Sequence, residues 1–241
     1  GDEDQRKRES MFIINDSASK YYAENLFADT DEARKALYYA TNRWPQDFIR
    51  TFGIGYASNS WDSFSLWANG KGLDKDLMLE LGLVKEKSTN DDVYDTFRGR
   101  IMIPIRDKQH RIIAFTARLL PDILAHDPNA PKYINSSTSL IYDKGNSLFG
   151  IDVAWNVASK AGVMNLVEGA PDVMRLQVIG ASNTVAPLGS SWTEAQLSML
   201  KRITDRLNII PDSDIPKEGE HFGVGFTSAM RTGKLALSLG F

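Results

Sequence analysis

The sequence predicts an α/β protein in two parts. Residues 1–160 read as a mixed α+β part, and residues 161–241 as parallel strands joined by crossover helices. Three observations carry this. From residue 162 the hydrophobic pattern runs strand, helix, strand, helix, strand, helix. Residues 97–120 alternate with period two about a DKQH turn, the pattern of a β-hairpin. Residues 2–50 place aliphatic and aromatic side chains at three-to-four spacing, the pattern of helices.

In chain order, MFIINDSASKYYAENLF and DEARKALYYATNRW read as two helices, with Asp29 and Thr30 as candidate starts of the second. Pro45 interrupts and QDFIRTF forms a third. FGIGYAS (52–58) reads as a strand, SWDSFSLWANG and DKDLMLELGL as short helices. The stretch 119–147, rich in Pro, Asn, Ser and Asp, reads as loop, and 148–161 contains a helix. VMNLVE, NTVAPLG and RLNIIPDSD are then the strands, and PDVMRLQVIG, TEAQLSMLKRI and FTSAMRTGKLALSLGF the helices.

Composition narrows the chemistry. With 241 residues, 42% of them hydrophobic, the chain has material for a real core. No cysteine is present, which excludes disulfides, a cysteine nucleophile and thiolate zinc sites. His110, His126 and His221 share no ligand spacing, so any metal is expected to be hard and oxygen-bound. No apolar run approaches the roughly 18–20 residues that span a bilayer. The chain opens GDEDQRKRES with no apolar stretch behind it, so a cytoplasmic location and no membrane partner are expected.

The net charge of −3 hides a strong local asymmetry. Residues 98–118 carry Arg98, Arg100, Arg106, Lys108, Arg111 and Arg118 against the single acid Asp107. Over 98–106, Ile101, Ile103 and Ile105 occupy odd positions. Arg98, Arg100 and Arg106 occupy even ones, which predicts one core face and one cationic face. A solvated strand face is the bland alternative; phosphate groups are the functional one.

The acids are placed just as unevenly. In open α/β sheets, reactive groups gather beyond the carboxyl ends of the strands. Two predicted strands end there in acids, Glu168 in one case and Asp212 with Asp214 in the other, and the third ends in Gly189. Carboxylates gathered at one edge repel unless a cation neutralises them, and Mg²⁺ is suited because it leaves room for phosphate oxygens. Asp172, in the first turn after Pro171, is equally explained by the helix dipole.

Glu168-Gly169-Ala170-Pro171-Asp172 and Asp212-Ser213-Asp214 resemble the motifs of the Toprim fold. Upstream, FGIGYAS (52–58), FRGRIMIPIRD (97–107), RIIAFTAR (111–118), PKYINS (131–136) and DKGNSLFG (143–150) resemble, in order, the RNA polymerase core of bacterial DnaG-type primases. The resemblance covers roughly residues 30–214. It implies a basic N-terminal subdomain, a Toprim subdomain over 161–241, and RNA primer synthesis on a single-stranded DNA template from nucleoside triphosphates. It implies Mg²⁺ or Mn²⁺ on Glu168, Asp212 and Asp214, with Asp172 in the same catalytic cluster. Arg98, Arg100, Arg118, Lys132, Tyr133, Asn135 and Lys144 fall on its template- and nucleotide-binding positions. A replicative helicase partner, reached through regions outside this chain, is also implied. Ala170-Pro171, Ile215-Pro216-Lys217 and the charged insertion EGEHFGVG (218–225) depart from the family pattern, and a third acidic motif would lie beyond Phe241. These departures mark a divergent relative of mobile-element or phage type. They leave two alternatives open, a catalytically weak primase-like single-stranded DNA-binding module and a Toprim nuclease.

Overall fold

The computed structural model describes residues 1–241, which divide into two compact units. One comprises residues 1–105 and 111–142, the other 106–110 and 143–241. The units therefore part between Tyr142 and Asp143, and the helix 151–161, placed by sequence in the first part, packs in the second.

The first unit begins with α1 (Asp2–Leu26), α2 (Asp31–Thr41) and α3 (Gln46–Phe52). Met11, Ile14, Ala18, Tyr22 and Leu26 bury one stripe of α1 at three-to-four spacing, and its first turn is acidic, which complements the helix dipole. Thr30 caps α2 by accepting from the Ala33 amide at 3.1 Å, the start expected from sequence. Next come β1 (Gly55–Ala57), α4 (Ser63–Gly70), α5 (Lys75–Glu80) and a two-stranded ribbon, β2 (Val84–Glu86) with β3 (Val93–Asp95). The predicted hairpin is β4 (Arg100–Arg106) and β5 (Ile112–Leu119). Its turn residue His110 has φ 64°, and Asp107 accepts the Gln109 amide at 3.0 Å. The supposed loop 119–147 contains α6 (Pro121–His126) and β6 (Tyr133–Asn135).

The strands form an antiparallel sheet in the order β1-β4-β5-β6. Tyr22, Phe64, Phe97 and Phe115 lie at the centre of the core beneath it, with Tyr22 stacked on Phe64 at 5.4 Å. Buried Asn15 donates to the Ile112 carbonyl at 3.2 Å and ties α1 to β5.

One expectation needs correction here. Every residue of β5 and all of β4 except Arg106 are buried, so the hairpin has no open cationic face. Arg100 and Arg118 are only 6% and 7% exposed. The alternation is real, but chain from 131 onward, which a period-two reading of the hairpin alone does not reveal, covers the arginine side.

The second unit contains β7 (Leu148–Phe149), α7 (Ile151–Ala161), β8 (Met164–Leu166), α8 (Ala170–Val178), β9 (Thr184–Pro187), α9 (Glu194–Lys201), β10 (Leu207–Ile209) and α10 (Val224–Ser238). Its sheet has the order β10-β8-β9-β7, with β10, β8 and β9 parallel and β7 antiparallel. Met164, Leu166 and Val185 from the strands pack with Ala154, Ala158, Leu197, Leu200 and Ala236 from the helices. This is the predicted strand–helix rhythm, and it sends the three parallel strands towards one edge. No helix is long and apolar enough to cross a membrane.

Candidate active site and nucleic-acid interface

The acidic edge lies in the second unit. Leu166 of β8 is in register with Ile209 of β10, and the Ile210 amide donates to the Leu166 carbonyl at 2.9 Å. Glu168 and Asp212 therefore leave adjacent strands side by side. The Asp212 amide donates to Glu168 Oε1 at 3.0 Å. Asp214 turns back to the start of α10, where Oδ2 accepts the Gly225 amide at 3.0 Å. A Cβ on Gly225 would stand 2.5 Å from the Asp212 carbonyl and 2.9 Å from Glu168 Oε1. The insertion 218–225, a departure by motif, thus supplies the glycine that lets α10 close against the acids.

The carboxylates sense one another. Partial burial raises the Glu168 pKa above its ordinary value, and the charges on Asp212 and Asp214 raise it further. Asp172, in the first turn of α8, is raised by burial and by Asp212, with Arg175 opposing. An all-oxygen acidic set of this kind suits a hard divalent cation. The side chains do not close around one point, however: no group of three or more acids or histidines encloses a metal-sized position. Lys144 also reaches this edge. Its Cε lies 3.2 Å from where a Cβ on Gly189, just past β9, would stand.

Of the basic residues expected at the site, Arg98, Arg100, Arg118 and Lys132 lie in the first unit and Lys144 in the second. Arg100 donates to the carbonyls of Ala117 (3.3 Å), Lys132 (3.4 Å) and Pro131 (2.9 Å). Burial, with the nearby Arg98 and Arg118, lowers its pKa to about 10, so it stays charged at neutral pH. Arg118 donates to the Leu119 carbonyl at 2.7 Å and faces Tyr133 across the strand pair, with 5.4 Å between guanidinium and ring. Arg98 hydrogen-bonds the Asp95 carbonyl and stacks on Trp61 at 3.9 Å. Lys132 and Asn135 are exposed beside the 40%-exposed Tyr133.

Sequence reasoning missed the contribution of α2. Arg43 lies 4.2 Å over the Tyr39 ring, and Arg118 lies 5.9 Å from the same ring. A cavity of about 410 Å³ opens there, lined in part by Lys35, Tyr38, Tyr39 and Arg43. Arg43 lies in the turn just past the end of α2, so its stack on Tyr39 depends on how the chain leaves the helix, which residue spacing alone does not give. Trp61 was also missed, because the Arg98 stack joins segments that are remote in sequence.

Residues 21–155 match the family described as DNA primase catalytic core, N-terminal domain. The chain belongs to that family. It is 34% identical over 210 residues to the DNA primase of Clostridium acetobutylicum, covering 86% of this chain and 33% of that protein. It is likewise 34% identical over 194 residues to the DNA primase of Deinococcus radiodurans, covering 80% of this chain and 32% of that one. The chain thus spans about a third of the length of the curated relatives it matches. Among solved structures it is similar to the Aquifex aeolicus primase zinc-binding and RNA polymerase domains. The TM-score is 0.82 at 31% identity, covering 97% of this chain and 53% of that one. It is also similar to the DnaG primase catalytic domain bound to ssDNA, with a TM-score of 0.81 at 29% identity, covering 98% and 68%. These likenesses bear out the mixed α/β fold and the DnaG-type resemblance read from the five sequence blocks.

Proposed function

We propose that the chain is the polymerising core of a DNA primase, which makes RNA primers on single-stranded DNA by metal-dependent nucleotidyl transfer. The observation that carries this reading is the acidic edge of a parallel sheet, with Glu168 and Asp212 hydrogen-bonded side by side and Lys144 at the same edge, in a chain of the primase family. The second unit corresponds to the Toprim part and the first to the basic subdomain. Glu168, Asp212 and Asp214 would hold Mg²⁺ or Mn²⁺, with Asp172 beside them. Such an ion, when bound, neutralises the triphosphate and lowers the pKa of the attacking 3′-hydroxyl.

The chain's own residues have separable tasks. Lys144 and Lys132 neutralise phosphate charge. Arg98 meets the template backbone, and buried Arg100 and Arg118, which spend donors on backbone carbonyls and have no carboxylate partner, add positive potential beneath it. Tyr133 offers a face for a base or ribose, with Asn135 beside it as a polar contact. The reaction is the attack of a primer 3′-oxygen on the α-phosphorus of the incoming nucleotide, in line with departing pyrophosphate. A helicase partner and a cytoplasmic setting accompany this role.

The bond between Asp214 and the Gly225 amide, together with Ala170-Pro171, supports a second reading, a weakly catalytic single-stranded DNA-binding module. A Toprim nuclease is the third, and the family match over 21–155 weighs against it. Incubating the protein with single-stranded DNA, labelled ribonucleotides and Mg²⁺ or Mn²⁺ separates them. Primers are expected. Binding without product favours the second reading, and metal-dependent nicking the third.

A further inference from the structure

The segment carrying Lys144 is held in an unusual way. Thr193 and Gln196 form a capping box at the start of α9. The Gln196 amide donates to Thr193 Oγ1 at 3.1 Å, and the Thr193 amide donates to Gln196 Oε1 at 3.0 Å. Those two bonds complete the cap. Both side chains then do more. Gln196 Nε2 donates to the carbonyls of Lys144 (3.2 Å) and Ser147 (2.9 Å), and Thr193 Oγ1 donates to the Gly145 carbonyl at 2.7 Å. Gln196 is only 1% exposed, so no water competes for these bonds. From the other side, Asp143 accepts the Gly145 amide at 2.9 Å.

The choice of glutamine is informative. Glutamate serves the third position of a capping box equally well, since only an acceptor is needed there. A glutamate at 196 would keep the cap but aim a carboxylate oxygen at two carbonyls. Glutamine is therefore explained by the loop, and the loop's exposed cation is Lys144. Gly189 lies against this lysine: a Cβ there would stand 3.2 Å from Lys144 Cε, so the lysine would have to give way by a few tenths of an ångström.

We propose that Gln196, assisted by Thr193, is a positioning residue that delivers the Lys144 ammonium to the phosphates of a nucleoside triphosphate at the acidic edge. This rests on the reading of Lys144 as a phosphate-binding group. Gln196 acts only through the loop and touches no reacting atom.

The test measures ATP binding with Mg²⁺, alongside melting temperature and hydrogen exchange, in Gln196→Glu, Lys144→Ala and their combination. Lys144→Ala is expected to weaken ATP binding roughly tenfold, the worth of one charge-assisted hydrogen bond. Gln196→Glu is expected to weaken it by a similar factor and to speed exchange at Gly145 and Asn146. The double variant should be no weaker than Lys144→Ala alone, since the two changes remove one interaction. Gly189→Val crowds Lys144 with the cap intact and guards against an unstable Gln196 variant; it should also weaken ATP binding. Full ATP affinity in Gln196→Glu beside a weakened Lys144→Ala overturns the positioning role, as does additivity. Full affinity in Lys144→Ala itself overturns the underlying reading of Lys144, a distinguishable result.

Discussion

Arg100 and Arg118 are as buried as many core aliphatics, yet backbone carbonyls are what satisfy their charge. Replacing Arg100 by Gln removes the guanidinium from the Pro131 carbonyl at 2.9 Å and from the longer bonds to Ala117 and Lys132, of which the Lys132 carbonyl keeps the Leu119 amide. A stability loss of about 1–3 kcal/mol is expected in urea unfolding. Losing that buried positive charge should lower single-stranded DNA affinity uniformly across sequences and weaken its salt dependence. At the acidic edge the sign is opposite. The folded-state pKa of Glu168 is raised, so ionising it costs stability as pH rises through that value. Glu168→Gln should therefore stabilise the metal-free protein at neutral pH by less than about 1 kcal/mol, because solvent screens a partly exposed group. The gain should vanish as pH falls below the ordinary glutamate range, which melting temperatures at several pH values would reveal. The residues of this site were legible from motif and strand end; their burial was not, because it depends on chain arriving from elsewhere.

Among the elements, the parallel strands of the second unit were the most legible, since each is a short apolar run between glycine- or proline-marked turns. The acid placement followed from them: neighbouring parallel strands bring Glu168 and Asp212 to one edge. The elements missed were β2, β3, α6, β6 and β7, none longer than six residues. β6 exists because β5 offers it a partner, with Arg118 opposite Tyr133, a tertiary cause that local pattern does not carry. The start of α4 makes the same point. Asp62 stands at the N-cap but makes no side-chain bond there. Asp95, buried on β3, accepts the Phe64 and Ser65 amides at 2.8 and 2.9 Å instead. Asp95→Ala is expected to cost about 1.5–3 kcal/mol in urea unfolding, since it strips two helix-start amides of a charged acceptor. Gly225→Ala should dislodge the 212–225 turn, because its Cβ would overlap the Asp212 carbonyl. The expected readout is faster hydrogen exchange at Asp212 with little change in the exchange of β8.

At the scale of the whole molecule, the chain builds two separate cores, one aromatic-rich under an antiparallel sheet and one aliphatic around parallel strands. The proposed acidic positions all lie in the second unit, and the proposed basic ones lie in the first except for Lys144. Charge asymmetry along the sequence foreshadowed this division better than net charge did, because phosphate and metal sites need opposite local fields. Primer synthesis, as proposed, requires both charges at once. The most direct measurement is labelled ribonucleotide incorporation on single-stranded DNA with Mg²⁺ or Mn²⁺, comparing the natural gene product with its Glu168→Gln variant. Primers from the unaltered protein are expected, with a loss of roughly a hundredfold or more in the variant, whose folding is intact. Absence of primers from the unaltered protein, or undiminished synthesis by Glu168→Gln, would contradict the assignment of the acidic edge as the polymerising site.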